Sequence, residues 1–226
     1  MPIYCPNITT ADLSATNCYT VLCQQDDLSS DLLANACMQA HLLCVPKGIW
    51  HLYTYDQDEH AILANKPFLL TDPYLIHQLT GAVEVAILAA TIGLPLEQEV
   101  SNLFIRKQPT SGMLLDAAGT MAIEATSNAV CAVISQQAAQ TGLTAGSRIS
   151  PGHGDCPIEL QLDLLELSTG ATLGLSLTDT KMLVPRKSVT AIIGLFPYHH
   201  ALNLSHQQEL LRDKCGQTDC QARKEK

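Results

Sequence analysis

Aromatic side chains are scarce: three Phe, six Tyr and one Trp make up 4% of the 226 residues. A core in this chain must therefore be filled by aliphatic side chains, with much Leu, Ala and Ile. Charged residues are also few, 15% against 46% hydrophobic, which excludes disorder as the main state. Positive charge is the scarcer sign, 13 Lys and Arg against 22 Asp and Glu, a formal net charge of −9. Such a surface repels phosphate backbones and argues against general nucleic-acid binding. No long apolar run is present. The longest, VEVAILAATIGLP at 83–95, contains Glu84 and falls short of the ~20 residues that a membrane-spanning helix needs. The opening MPIYCPNITTADLSATNCYT has neither a basic start nor an apolar segment, so no secretory leader is expected. Nine cysteines without repeated tight spacing then read as mostly buried, reduced thiols of a cytoplasmic protein, and the Asn7-Ile8-Thr9 sequon as chance.

Catalytic signatures are missing as well. No Gly-Lys-Ser/Thr follows a glycine loop, no GxGxxG occurs, and Ser150 is not in a GxSxG context. No acid–base dyad is evident. The length suits one domain or two small ones.

Apolar spacing and breakers give the element order. Residues 10–24 and 28–44 read as helices, ended by Pro46-Lys47-Gly48. IWHLYTY, 49–55, reads as a strand, and 61–70 returns as a second. Thr71-Asp72-Pro73 starts a short helix, with a capping side chain followed by Pro at the first helical position. Residues 83–90 are apolar at nearly every position, as in the middle of a sheet. Helices are expected from about 95 to 106 and from 112 to 140, the latter rich in Ala and Gly so that neighbours approach closely. Residues 142–157 read as a loop and 157–169 as a helix. TLGLSLT, 172–178, alternates strictly and predicts a half-buried strand. VTAIIGL, 189–195, is a further strand, and a last helix falls in 199–226. Residues 212–226 carry five basic and three acidic side chains, leaving the remainder with 8 and 19. This basic tail reads either as a docking segment for an acidic partner or as a solvated terminus.

Four stretches could carry chemistry. In GSRISPGHGDCP, 146–157, glycines allow close backbone approach and Arg148 offers a planar fork for a carboxylate. The plainer reading is a turn. On the long helix Asp116, Thr120, Glu124 and Asn128 recur every four residues and share one face. That face is either solvated or lines a cleft in which Glu124 meets a cationic ligand. The connector TDTKMLVPRKSVT, 178–190, either covers a site or closes a core. His199-His200 with Cys215 and Cys220 lack the tight paired spacing of a zinc site, and no metal is expected; His41 and Cys44 read as core residues.

Taken together, VEVAILAATIG (83–93), LLDAAGTMAIEA (114–125), RISPGHGDCPIELQ (148–161) and LSLTDTKMLVPRKSVTAIIGL (175–195) resemble, in order and spacing, the activation domain of cobalamin-dependent methionine synthase. The resemblance is closer still to the short stand-alone proteins that share that domain. It runs from about residue 49 to the C-terminus; the first 48 residues match loosely. It implies an α+β fold with a twisted, mainly antiparallel sheet flanked by helices. Three regions are expected: residues 1–48 as a helical N-terminal region packing on the main domain, 49–211 as the S-adenosylmethionine-binding activation-type domain that the resemblance implies, and 212–226 as the basic tail.

The family signature is Arg, three residues, then Gly-Tyr; here Arg148, Pro151, Gly152 and His153 fall on it, with His153 in place of the tyrosine. Glu124 matches the helix glutamate near the ligand. The resemblance implies that Arg148 grips the ligand carboxylate and that Glu124 favours its ammonium or hydroxyl groups. Stand-alone relatives often end in a cysteine cluster, of which Cys215, Cys220 and Arg223 remain, with Arg212 where the first cysteine would stand.

The implied activity is that of a partner-dependent methyltransferase component. One electron from a flavodoxin-like donor reduces cob(II)alamin to cob(I)alamin, which takes the methyl group of S-adenosylmethionine. The leaving group is a neutral thioether, so no general base is required. The chain has no DxHxxG-type loop to hold a corrinoid of its own, so the cobalamin belongs to a partner: a cobalamin-binding protein or the methionine synthase core. The alternatives are a non-catalytic S-adenosylmethionine sensor and an interaction subunit for a corrinoid protein.

Overall fold

The structure, a computed structural model, describes residues 2–13 and 30–198. The expected helix over 10–24 beyond Leu13, the final helix, the basic tail, His199, His200, Cys215 and Cys220 lie outside the described residues.

The architecture is α+β. Its centre is a six-stranded, wholly antiparallel sheet in the order β3-β2-β1-β4-β8-β5. The strands are β1 (Lys47–Asp56), β2 (Ala61–Leu63), β3 (Phe68–Leu69), β4 (Glu84–Thr91), β5 (Leu143–Ile149) and β8 (Ser188–Pro197). A separate two-stranded ribbon pairs β6 (Ser176–Leu177) with β7 (Leu183–Val184). The helices are α1 (Ser30–Leu43), α2 (Pro73–Gln78), α3 (Pro95–Ile105), α4 (Pro109–Gln140) and α5 (Gln161–Leu167).

β4 is apolar nearly throughout because both of its faces are covered. Ala86, Leu88 and Ala90 face the layer made by α4 and its neighbours, while Val85, Ile87 and Ala89 face the side that α5 covers. β8 alternates likewise, with Ala191, Ile193 and Leu195 toward α4 and Ile192 and Phe196 away from it. Asp72 caps α2 by accepting a hydrogen bond from Leu75 N at 2.9 Å, with Pro73 at the first helical position, as its sequence predicts.

α4 is long and apolar enough to cross a membrane by length and composition alone, but in this fold it packs against α1, α3 and β5 as a core element. Its small residues set the spacing: a Cβ at Gly119 would lie 2.7 Å from Leu96 Cδ2 of α3. Its buried hydroxyls are satisfied within the helix. Thr126 Oγ1 donates to Ala122 O at 2.7 Å and Ser127 Oγ to Ile123 O at 2.8 Å.

Four expectations are corrected. Residues 142–157 are not all loop, because Leu143–Ile149 form the edge strand β5; pairing with β8 overrides a glycine-bearing sequence of low strand propensity. TLGLSLT is not one strand. Gly170–Leu173 form a 3-10 turn and Gly174 has φ +84, which breaks the alternation before the two residues of β6. Leu175 is nonetheless buried, with Leu173 and Leu177 packed beside it. Residues 61–70 divide into β2 and β3, with Pro67 in the break. His41 is exposed rather than a core residue, and Cys44 is only partly buried.

Gly119→Val is expected to lower stability by about 1–3 kcal/mol through overpacking against Leu96. A urea midpoint equal to that of the wild type would refute the close approach of α3 and α4.

Candidate functional site

Arg148 is the penultimate residue of β5, and its direction is set by an irregularity in the ladder. Ala145 pairs with Leu195 and Arg148 with Ile193, so three steps on β5 oppose two on β8. Regular alternation would have turned residue 148 to the α5 side, where Ile149, Leu164 and Phe196 pack. The extra residue turns it instead to the α4 side, next to Ile193. Gly146 lies within the irregular stretch, where a Cβ would stand 2.7 Å from Phe196 Cε2.

On that side Arg148 Nη2 donates to Glu124 Oε2 of α4 at 2.8 Å. The Arg148 side chain is 23% exposed and that of Glu124 45%. Arg148 Nη1 is buried and has no hydrogen-bond partner among the described residues. Cys131, nearly two turns further along α4, is close to the same guanidinium. Burial pushes the Cys131 thiol up, partly offset by Arg148.

A second cation meets α4 about 12 Å from Glu124 along the helix, at the helical rise over eight residues. Lys187 Nζ donates to Asp116 Oδ2 at 2.9 Å and to Thr120 Oγ1 at 2.8 Å. The neighbouring Arg186 holds Glu97 of α3 through both its backbone N and its Nε, at 2.9 and 2.7 Å. The polar stripe of α4 is thus neither a plain solvated face nor bare cleft lining. Three of its four members hold the ends of β5 and of the connector, and Asn128 is exposed.

Between these two cations the sheet edge steps inward. β8 pairs with β4 from Ser188 onward but with β5 only from Ile192 onward, so among the described residues no strand lies on the outer side of Ser188–Ala191. Arg148 stands at the end of β5 and Lys187 immediately before β8.

The signature turn follows directly. Pro151 is half-buried, and Gly152 and His153 are exposed. Gly152 N donates to Cys156 O at 2.9 Å and His153 N to Ser150 O at 3.2 Å. Gly152 has φ +74, and a Cβ there would also reach within 3.0 Å of Ile158 Cδ1, so both conformation and space call for glycine. Beyond the turn Gln161 Nε2 donates to Thr190 Oγ1, a buried bond that fixes the start of α5 to β8. Tyr74 of α2 and Cys156 belong to one apolar cluster; burial raises both, Cys156 to about 11. Lys187, Cys131 and Tyr74 are missed by sequence reasoning, because nothing in the spacing links them to Arg148 or to the turn.

A cavity of about 180 Å³ lies elsewhere, between residues 6–13 and the end of α1. Its lining includes His41 and Cys44 and, among the described residues, no Asp, Glu, Lys or Arg; burial pushes the Cys44 thiol up to about 12. Among the described residues no three His, Cys, Asp or Glu side chains are grouped to hold a metal ion.

No protein-family profile matches the sequence, and no curated protein matches it. Thirteen chains of solved structures match. One is the crystal structure of the MetH reactivation domain bound to AdoHcy, with a TM-score of 0.57 at 14% identity over 88% of this chain and 79% of that one. The chain shares the fold of the MetH reactivation domain. The expected α+β class and the likeness to that domain hold at the level of fold.

Two outcomes check the geometry. In a double-mutant cycle, Glu124→Gln and Arg148→Ala are expected to show a coupling of about 0.5–1 kcal/mol, the scale of a pair partly open to water; strictly additive losses would dissolve the pair. Site-resolved alkylation at pH 8 is expected to modify the exposed Cys5 ahead of Cys44 and Cys156, which should be at least about tenfold slower because little thiolate is present. Equal rates at the three sites would contradict their burial.

Proposed function

We propose that this protein is the S-adenosylmethionine-binding component of a cobalamin-dependent methionine synthase system, and that it supports reductive methylation of cob(II)alamin held by a partner. The observation that carries the reading is Arg148. Within a fold shared with a domain crystallised with AdoHcy, an edge-strand irregularity delivers a guanidinium to α4 with one dehydrated donor that has no partner among the described residues. A planar fork with a free donor suits a carboxylate. The ligand's amino-acid end is assigned to Arg148, and the turn Pro151-Gly152-His153 to the rim of the same site.

When bound on its partner, the cobalamin supplies the methyl-accepting cobalt centre and a flavodoxin-like donor the electron. This chain's residues have a narrower task, to hold the sulfonium ligand in position and to balance its charges. No side chain needs to move a proton, in keeping with a site built from an ion pair and a glycine turn.

His153 favours a second reading, a sensor that binds S-adenosylmethionine without chemistry. Its imidazole is exposed on the turn where the family signature has tyrosine.

S-adenosylmethionine is expected to raise the melting temperature, since a ligand that binds only the folded state stabilises it. Arg148→Ala should weaken that binding about tenfold or more, the scale of a lost charge-assisted hydrogen bond. Unchanged affinity in calorimetry would remove Arg148 from the site. Incubation with a cob(II)alamin-loaded partner, a reductant and S-adenosylmethionine should produce the visible spectrum of methylcobalamin. Binding without that spectrum selects the sensor.

A further inference from the structure

The Arg148–Glu124 pair has a consequence for which ligands the site accepts. Glu124 is the more exposed partner, whereas Arg148 is confined between β5 and α4. Glu124 engages only one tine of the fork, Nη2, while Nη1 stays buried and has no partner among the described residues. A buried donor without an acceptor is unfavourable, because its desolvation is not offset. The dehydration of Nη1 is therefore already borne by the protein, and an acceptor that reaches it gains the bond without that loss. The next carboxylate along the stripe, Asp116, is held by Lys187.

We propose that Glu124 is an internal competitor for the ligand carboxylate at Arg148, and that it makes the site selective for nucleosides bearing a carboxylate. This rests on the S-adenosylmethionine reading above and assigns Glu124 a role opposite to that of an ammonium-binding group. A ligand without a carboxylate has nothing to exchange for Glu124 and leaves the pair closed. A ligand with one replaces a single-tine contact by its own and releases Glu124 toward water, where a half-exposed carboxylate is readily solvated. Removing the Glu124 charge should then tighten binding, and only for carboxylate ligands.

The test compares S-adenosylhomocysteine with 5′-methylthioadenosine, which shares the adenosine and thioether but lacks the amino-acid end, on wild type and Glu124→Gln by calorimetry. The substitution is isosteric at a half-exposed position. The expected result is S-adenosylhomocysteine binding tighter by about two- to five-fold, the range that a partly exposed ion pair can contribute. Binding of 5′-methylthioadenosine should not change. In an Arg148→Ala background the same substitution should have no effect on either ligand. If wild type binds S-adenosylhomocysteine and Glu124→Gln binds it equally or more weakly, the competitor role is overturned while the ligand assignment stands. Equal tightening of both ligands also overturns it, since the carboxylate would not be what Glu124 opposes. If neither protein binds either ligand, the S-adenosylmethionine reading itself falls.

Discussion

Between Ala145 and Arg148 the edge strand β5 carries one residue more than the β8 segment it faces. Everything at the candidate site depends on that count. On one side of the sheet lies a cluster with Ile149, Leu164, Ile192 and Phe196; on the other lies α4 with Glu124. A guanidinium turned to the first side would enter apolar packing without a counter-ion, a loss of several kcal/mol by the usual cost of an uncompensated buried charge. The irregularity settles the choice in favour of α4, and the 2.8 Å bond to Glu124 is the result. The small size of Gly146 is part of the same device, since the Phe196 ring occupies the place of its missing side chain.

The rest of the fold keeps α4 where Arg148 can meet it. β1, β4 and β8 run in register over long stretches, so the layer beneath α4 is continuous. Trp50 of β1 reaches up to it, with Nε1 donating to Gln137 Oε1 at 2.9 Å. From the other direction Arg186 and Lys187 attach the connector to α3 and α4. A helix held at its start through Lys187, in its middle through Arg148 and near its end through Trp50 has little freedom to slide along its axis. Each surface-facing ion pair contributes little by itself. Their effect is on register, because the three anchors lie on different strands or connectors.

The sequence made the central elements legible for a physical reason. β4 is apolar on both faces, α2 carries its cap and proline, and α4 is rich in Ala with a polar stripe every four residues, so local pattern and final environment agree. β5 was not legible, because a short glycine-bearing stretch becomes a strand only through the partner beside it. TLGLSLT misled in the opposite direction: its leucines alternate on paper, but Gly174 takes a left-handed conformation and the alternation is realised in a turn. At the site, Arg148, Gly152 and Glu124 were legible as individuals. Their pairing was legible only in part. The stripe Asp116-Thr120-Glu124 announced a face, yet the cations that complete it come from residues 24 to 71 positions away, and no periodicity records that distance.

The charge distribution bears on what the site can do. The protein is acidic overall, and the described basic side chains that reach α4, Arg148 and Lys187, are both matched by carboxylates. The shoulder where β5 stops is therefore close to neutral, despite holding two cations. A neutral site within an acidic surface does not attract anions by long-range steering. Under the proposed reading it would discriminate at short range instead, by the number and direction of bonds that an incoming group can form in place of those already made. For a ligand such as S-adenosylmethionine, which carries a carboxylate together with cationic groups, this is the favourable combination. The acidic surroundings would not repel it as a whole, and under the proposed reading Arg148 would meet its one negative group only at contact.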